Sequence, residues 1–329
     1  MTAPTMPAFG LVVGDLRHGL TGFLAQNRPN AVGLDHSAPY SSATAALNRE
    51  IDVNTTQGRQ PTRIAVLGSG TRTPEMPPHL AELGDAEAIP ELFNSRVAAF
   101  AGNPYDRLVV DLAYVDMAQR AEAAGCAAIF INTYADYGID AMRAAVSIPV
   151  IGAGETAMTI AAEGGRRFSI VTVWPLSMKF LYDERTRAVA AGAACLRVRH
   201  VSTEDELPRL ASEQGVQRRM ARREVAIIEQ IVRECERAIR EDGAQAIVLG
   251  CTCMAPVGPQ ITERLGVPVI EGSRAGYCAA VAAARQPPTA ACGPRTTRAT
   301  LIPSIVDAFV SGVPGAQGPT PAECPVCIT

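Results

Sequence analysis

Two stretches of the chain repeat one pattern, and this repeat constrains the fold more than any other feature. The first stretch runs from Ile129 to Ala157 and the second from Ala246 to Ala275. Each contains a short apolar run, a polar turn, a helical stretch and a second apolar run that begins around a proline. Because a strand–turn–helix–strand unit is the building block of parallel sheets, the repeat predicts two similar α/β halves related by pseudo-twofold symmetry.

The polar turn of each copy holds a side chain that could take part in chemistry. This residue is Thr133 in the first copy and Cys251 in the second. Ligands of open parallel sheets bind at the carboxyl ends of the strands. The repeat therefore predicts a cleft between the halves, with a hydroxyl on one side of a small substrate and a thiol on the other.

Strands and helices alternate from Thr62 to Ala284, as expected for parallel sheets with helices on both faces, and 329 residues suit two domains. The pattern predicts helices over Pro90–Phe100 and over Gln217–Glu241. We assign 61–160 together with 275–312 to the first half and 161–274 to the second. Residues 1–60 form a predicted N-terminal arm, and 313–329 a predicted flexible tail.

The composition limits the kinds of molecule that the protein is expected to bind. The net charge of −3 does not indicate binding to nucleic acid or to an anionic membrane. No apolar run is long enough to span a bilayer, and the apolar stretch Phe9–Val13 lacks the preceding basic flank of a signal peptide. We therefore expect a cytoplasmic protein with a small-molecule substrate.

The nine cysteines do not predict a disulfide framework, because their number is odd and the chain is long. Cys324 and Cys327 have the spacing of a metal-binding pair, but no second pair accompanies them, so we predict no metal site. Cys253, two residues after Cys251, is interpreted as structural. The four histidines, which have no spacing that suggests a site, are interpreted as surface or loop residues: His18, His36, His79 and His200.

Several segments together resemble a known family. The strongest are Val248–Thr252 and Gly266–Ile270. Ser147–Gly152 also matches, as does Asp136 with the segment Gly138–Asp140. Over about Arg63 to Ala284 the chain resembles the aspartate/glutamate/hydantoin racemase superfamily, most closely its hydantoin racemase branch. The resemblance implies two Rossmann-like halves with the active site between them, no cofactor, and a homo-oligomer.

The resemblance also implies a mechanism in which one cysteine lies on each side of the substrate stereocentre. One thiolate removes the Cα proton and the other thiol delivers a proton to the opposite face. Here Cys251 keeps the second position and Thr133 replaces the first, so we take these two as candidate catalytic residues. The candidate substrate-binding residues are Ser69, Gly70, Thr71, Tyr134, Asp136, Trp174 and Thr252.

The sequence leaves three functions open. The first is a racemase or epimerase for an amino acid or a hydantoin-like molecule. The second is a single-cysteine decarboxylase, or a cis–trans isomerase, of a small dicarboxylic acid; the decarboxylases of the superfamily carry a Thr-Ser pair where this chain has Tyr134-Ala135, which disfavours that reading. The third is a non-catalytic binder. Thr133 could transfer a proton or only form hydrogen bonds, and Asp136 could orient a group or cap a helix.

Overall fold

The structure is a computed structural model, which describes residues 61–68, 76, 78–85, 87–209, 212–286 and 296–312. These residues belong to one compact unit that begins at Gln60. The predicted N-terminal arm and C-terminal tail lie outside the described residues, as do Ser69, Gly70 and Thr71. Within the described part of the chain, no helix is both long and apolar enough to span a membrane.

Two parallel sheets of four strands each form the framework, and they share one strand order. The first sheet is ordered β2-β1-β3-β4 and the second β6-β5-β7-β8. This confirms the predicted α/β class, with β3 and β7 as equivalent inner strands. The strands are β1 Thr62–Leu67, β2 Ala88–Phe93, β3 Ala128–Ile131, β4 Val150–Gly152, β5 Phe168–Thr172, β6 Cys195–His200, β7 Ala246–Leu249 and β8 Val269–Glu271.

The inner strands β3 and β7 are apolar throughout, because both of their faces are covered. Every residue of β3 and of β7 is buried, as expected for parallel strands between helical layers. The described helices are α1 Pro78–Ala81, α2 Pro104–Ala123, α3 Ile139–Ala145, α4 Ala153–Ala162, α5 Lys179–Ala188, α6 Val216–Ala221, α7 Val225–Arg237, α8 Gly258–Thr262, α9 Gly272–Ala284 and α10 Leu301–Gly312.

Two of the predicted helices are wrong. The segment predicted as a helix over Pro90–Phe100 is not helical: Pro90–Phe93 form the end of strand β2, and residues 94–100 belong to neither a helix nor a strand. Among the described strands, β2 pairs with β1 and lies at the edge of the sheet. An edge strand tolerates Pro90 because one side of its backbone has no neighbour to bond. The second, predicted over Gln217–Glu241, is broken between α6 and α7, where Arg223 has φ of 53°, a left-handed conformation that ends a helix.

Helices α4 and α9 pack against each other, and α9 also covers β1, β3 and β4 of the first sheet. Gly276 allows α9 to lie close to β3, because a Cβ at this position would lie 2.2 Å from the Phe130 ring. Helix α4 reaches across to β7 and β8 of the second sheet. This packing brings the carboxyl ends of β3 and β7, and so the turns after them, to the same region.

Candidate active site

One cavity of about 140 Å³ contains the turns that follow both inner strands. Thr133 lines it from the first half and Cys251 from the second. Three further predicted residues, Tyr134, Trp174 and Thr252, also line it. The structure thus brings five of the nine predicted site residues together.

Cys251 ends the extended backbone of β7, and a short helical segment, Thr252–Val257, begins directly after it. The backbone N–H of Cys253 donates to Cys251 Sγ at 3.2 Å. Such a donor stabilises sulfur in its anionic form. The preceding carbonyl, of Gly250, accepts a hydrogen bond at 2.8 Å from the Tyr182 hydroxyl of α5, which fixes the turn that follows β7.

Cys251 and Cys253 are joined by a disulfide. This bond corrects two expectations from the sequence, that the cysteines form no disulfide framework and that Cys253 is structural. The physical reason is local: the turn into Thr252–Val257 brings the Cα atoms of the two cysteines to 5.2 Å, within the usual range for a disulfide. Both cysteines line the cavity.

Thr133 presents a hydroxyl that is buried and has no hydrogen-bond partner. The Tyr114 hydroxyl lies near it, but the pair does not reach hydrogen-bond geometry. Burial raises the pKa of Tyr114 well above its usual value, so this phenol stays protonated and does not accept a proton from Thr133. The Thr133 hydroxyl is therefore available to a ligand in the cavity.

Asp136, a predicted substrate-binding residue, is not among the described residues that line the cavity. Its carboxylate accepts hydrogen bonds from the backbone N–H groups of Gly154 and Glu155, at 2.9 and 2.8 Å, and so caps helix α4. It also lies 3.0 Å from the Arg185 guanidinium of the second half. Burial raises the pKa of Asp136 to about 7, while Arg185 opposes this shift. In this position the carboxylate joins the two halves.

A second contact joins the halves beside the cavity. The Thr252 hydroxyl donates to the backbone carbonyl of Asn132 at 3.0 Å. The side chain of Asn132 in turn accepts from the Ser273 hydroxyl of α9, also at 3.0 Å. Asn132 directly precedes Thr133, so these bonds fix the position of the first turn relative to the second.

Aromatic rings form much of the cavity wall. Trp174 packs against Phe100 with ring centroids 5.7 Å apart, and Tyr134 packs against Tyr182 at 5.4 Å. The Trp174 backbone carbonyl is bonded to His200 Nδ1 at 2.9 Å. Burial raises the pKa of Tyr134 well above its usual value, so this side chain is neutral. The wall suits a ligand with an apolar or aromatic substituent.

Two histidines lie elsewhere than predicted. His79 is half-buried and lines the cavity, and His200 lies in β6 and is bonded to Trp174. Burial lowers the pKa of both imidazoles, so both are neutral at neutral pH. The pattern around either residue gave no sign of this, because their neighbours come from distant parts of the chain.

Gln217 of α6 also lines the cavity, with a buried carboxamide oxygen, and is not among the residues predicted from the sequence. Among the described lining residues, none carries a carboxylate, an ammonium or a guanidinium group. No cluster of three or more His, Cys, Asp or Glu that could hold a metal ion occurs within the described residues. The described part of the lining is thus without formal charge, and its polar groups are hydroxyls, carboxamides, imidazole and sulfur.

A family model described as Asp/Glu/Hydantoin racemase matches residues 71–280. The chain belongs to this family. The resemblance inferred from the sequence motifs is thereby confirmed, and the matched range includes Thr133, Cys251 and the whole second sheet.

Individual relatives agree with this assignment. A hydantoin racemase from Rhizobium meliloti is 36% identical over 154 residues, covering 47% of this chain and 58% of that protein. A hydantoin racemase from Pseudomonas sp. (strain NS671) is 33% identical over 172 residues, covering 52% of this chain and 64% of that protein. The chain thus matches less than two thirds of the length of either relative.

The structure of an allantoin racemase from Pseudomonas fluorescens is similar, with a TM-score of 0.57 and 25% sequence identity. The similarity covers 67% of this chain and 90% of that one. That allantoin racemase therefore shares the fold described above.

Proposed function

We propose that the protein is a racemase for a neutral cyclic ureide of the hydantoin type, which carries an apolar or aromatic substituent at its stereocentre. The observation that supports this most is the absence of charged side chains among the described residues that line the cavity around Cys251 and Thr133. An amino acid or a dicarboxylic acid would bring at least one carboxylate into that space without a cationic partner among the described residues. Burying an unpaired carboxylate is costly, whereas a ureide ring needs only hydrogen bonds.

The relatives support the same class of substrate. Two are named hydantoin racemases and one an allantoin racemase, and allantoin is itself a substituted hydantoin. In these rings the hydrogen at the stereocentre is next to a carbonyl group. Removing it leaves an enolate whose charge is shared with the carbonyl oxygen, so the proton can return to either face.

Cys251 is the proposed acid and base on one face. A thiol suits this task because its usual pKa of about 8.5 lies near neutral pH, and the Cys253 N–H directed at its sulfur favours the thiolate. The thiolate takes the ring proton and becomes a thiol, and the enolate forms. Proton transfer requires the reduced cysteine, so the form with the Cys251–Cys253 disulfide is the resting, inactive form under this proposal.

Thr133 is the proposed group on the opposite face, where the family position usually holds a second cysteine. Its hydroxyl is buried in the cavity and unpartnered. The proposal gives this hydroxyl the delivery of a proton to the enolate after Cys251 has removed one. The reaction then leaves Thr133 and Cys251 in changed protonation states, which exchange with solvent restores.

The decarboxylase and dicarboxylate isomerase readings receive less support from the cavity, since its described lining offers no cationic partner for the carboxylate that such a substrate keeps. The homo-oligomer, the cytoplasmic location and the domain boundaries expected from the sequence stay predictions. A non-catalytic binder differs in one measurable respect: Cys251 would then be dispensable.

The test is proton NMR in deuterium oxide with single enantiomers of a benzyl-substituted hydantoin, under reducing conditions. The native protein is expected to exchange the ring proton for deuterium while optical activity decays, and Cys251→Ala is expected to do neither. Cys278→Ala, which removes an exposed free cysteine, serves as the matched control and should behave as native. Exchange that survives in Cys251→Ala would contradict the assigned base, and no exchange with any hydantoin would contradict the substrate class.

A further inference from the structure

Helix α6 contributes one side chain to the cavity, and that side chain is Gln217. Its neighbours have other partners: Val216 and Met220 are fully buried in the core, while Arg218 and Arg219 form ion pairs with glutamates outside the cavity. The helix packs against the segment Thr252–Val257, which follows Cys251 directly. Gln217 is thereby held on the second half, beside the proposed base.

The carboxamide of Gln217 is buried without a partner. The residue is only 7% exposed, and its side-chain oxygen is inaccessible to solvent and forms no hydrogen bond. A buried acceptor without a donor is costly, and native proteins retain such a group where a ligand or a water supplies the missing bond. Because Gln217 lines the cavity that contains Cys251, the substrate is in a position to supply it.

We propose that Gln217 is the residue that determines specificity for the ureide, by hydrogen bonding to the N–H and C=O groups along one edge of the ring. This inference rests on the proposed function and extends it to a substrate-binding residue that the sequence motifs do not include. A primary amide presents one acceptor beside two donors, and a ureide edge presents an N–H beside a carbonyl. The two edges are complementary whichever way the amide is oriented.

The same contact discriminates against acidic substrates. A carboxylate has two acceptor oxygens and no donor, so it would leave the Gln217 oxygen unpaired and place a negative charge near it. Sites built to bind an N–H group reject analogues that lack it, because their own polar atoms are then left without a partner. Gln217 thus recognises the polar edge of the ring by hydrogen bonds, whereas the apolar walls select only for the shape of the substituent.

The experiment compares kinetics of native protein and Gln217→Met with a benzyl-substituted hydantoin and its two N-methyl derivatives, one for each ring nitrogen. Gln217→Met keeps the size of the side chain and removes its hydrogen bonds. The expected result is a KM about 10- to 100-fold higher for the unmethylated ring, with kcat changed by less than about threefold. In the native protein, methylation of the nitrogen bound by Gln217 should raise KM similarly, and in Gln217→Met this effect should disappear.

Gln260→Met is the matched control. Gln260 also has a buried, unpartnered carboxamide oxygen, but it is not among the residues that line the cavity. Its substitution should leave KM and the effect of N-methylation unchanged. If the melting temperature shows that Gln217→Met does not fold, Gln217→Glu replaces it. Glutamate keeps the shape of the side chain but loses its N–H donors, so the same rise in KM is expected.

Two outcomes would overturn the inference: an unchanged KM in Gln217→Met, or a higher KM in which N-methylation of the substrate has the same effect as in the native protein. The second outcome would indicate a structural role, since a distorted cavity does not distinguish one N–H from its methylated form. If the native protein racemises no hydantoin at all, the proposed function itself fails. Those results are distinguishable because the first two require an active native enzyme.

Discussion

The Thr252 hydroxyl donates a hydrogen bond to the backbone carbonyl of Asn132 at 3.0 Å, and this bond links the two turns that carry the proposed catalytic residues. Thr252 directly follows Cys251, and Asn132 directly precedes Thr133. A thiol and a hydroxyl that act on opposite faces of one carbon atom must keep a fixed separation. The Thr252–Asn132 bond fixes the distance between the two catalytic side chains, because each bonded residue is the chain neighbour of one of them.

We therefore predict that Thr252→Val lowers kcat by about 10-fold or more, because a small displacement of a catalytic group strongly reduces the rate of the chemical step. The free energy of unfolding should fall by only about 1 kcal/mol, the usual value for one neutral hydrogen bond. Thr252→Ser keeps the hydroxyl and should retain most of the activity. Kinetics and urea unfolding of the three proteins measure both effects, and equal activity of the Val and Ser variants would refute the positioning role.

The disulfide between Cys251 and Cys253 leads to a second prediction. Incubation with dithiothreitol transfers two electrons and two protons to the disulfide, which yields two thiols and the cyclic disulfide of the reagent. Activity should appear in step with this reduction and fall to background after re-oxidation with a small-molecule disulfide. The measurement is the initial rate at a series of ratios of reduced to oxidised dithiothreitol.

Cys253→Ser is the decisive control for the disulfide. This variant keeps the backbone N–H that is directed at Cys251 Sγ but cannot form the bond, so it should be active without reductant and insensitive to the oxidised reagent. Activity of the native protein that is independent of the ratio would show that the bond does not control the site.

The pair formed by Asp136 and Arg185 gives a prediction about stability. Both side chains are buried, and each comes from a different half. Asp136→Asn removes the nearer counter-charge of the Arg185 guanidinium and leaves only Glu155, whose carboxylate lies 3.5 Å from it. We therefore expect a cost of up to about 3 kcal/mol, the lower end of the range for breaking a buried pair. The solvent-exposed pair of Arg63 and Glu91 provides the comparison: Glu91→Gln should cost clearly less, because water screens the charges of an exposed pair. Chemical unfolding measures both, and equal costs would refute the structural role of Asp136.

The sequence predicts those parts of the site that depend on local pattern. Thr133 and Cys251 each follow an apolar run that is buried in the structure, and the repeat alone places both at equivalent strand ends. The sheet order could also be anticipated, because two copies of one unit fold in the same way. The site residues Tyr134, Trp174 and Thr252 follow from the same reasoning, since each lies within two residues of a strand or of its turn.

The residues that the sequence does not reveal depend on contacts between distant segments. Gln217 reaches the cavity because α6 packs on the segment after Cys251, and no periodicity of α6 encodes that contact. Asp136 caps a helix that begins 17 residues after it, so its position in the motif did not show which groups it would bond. The sequence does not predict strand β2, because this edge strand contains a proline and lacks the continuous apolar run of β3 or β7.

His200 provides a prediction about pH. Burial lowers the pKa of its imidazole below the usual value of about 6.5. As pH falls through about 6.5, the unfolded chain binds a proton that the folded protein does not, so stability is lost on the acid side and is unaffected above it. His200→Gln removes this contribution and should flatten the decrease in the free energy of unfolding between about pH 7 and about pH 5. His79, whose pKa is lowered for the same reason, should make a separate and additive contribution, and an unchanged slope in the double variant would contradict the assignment.

The Thr133→Ala variant separates the two proton-transfer steps of the proposed reaction. Cys251 removes the proton from one enantiomer, and Thr133 then delivers a proton to the opposite face. In Thr133→Ala, that enantiomer should still exchange its ring proton for deuterium at nearly the native rate, because the thiol can return a solvent-derived deuteron to the face it acted on. Inversion should fall by about 100-fold, the usual size of one general acid. Exchange by NMR and inversion by polarimetry, followed in the same sample from each pure enantiomer, measure the two rates. Thr133→Cys should restore inversion, and a Thr133→Ala variant that inverts as fast as it exchanges would show that the hydroxyl transfers no proton.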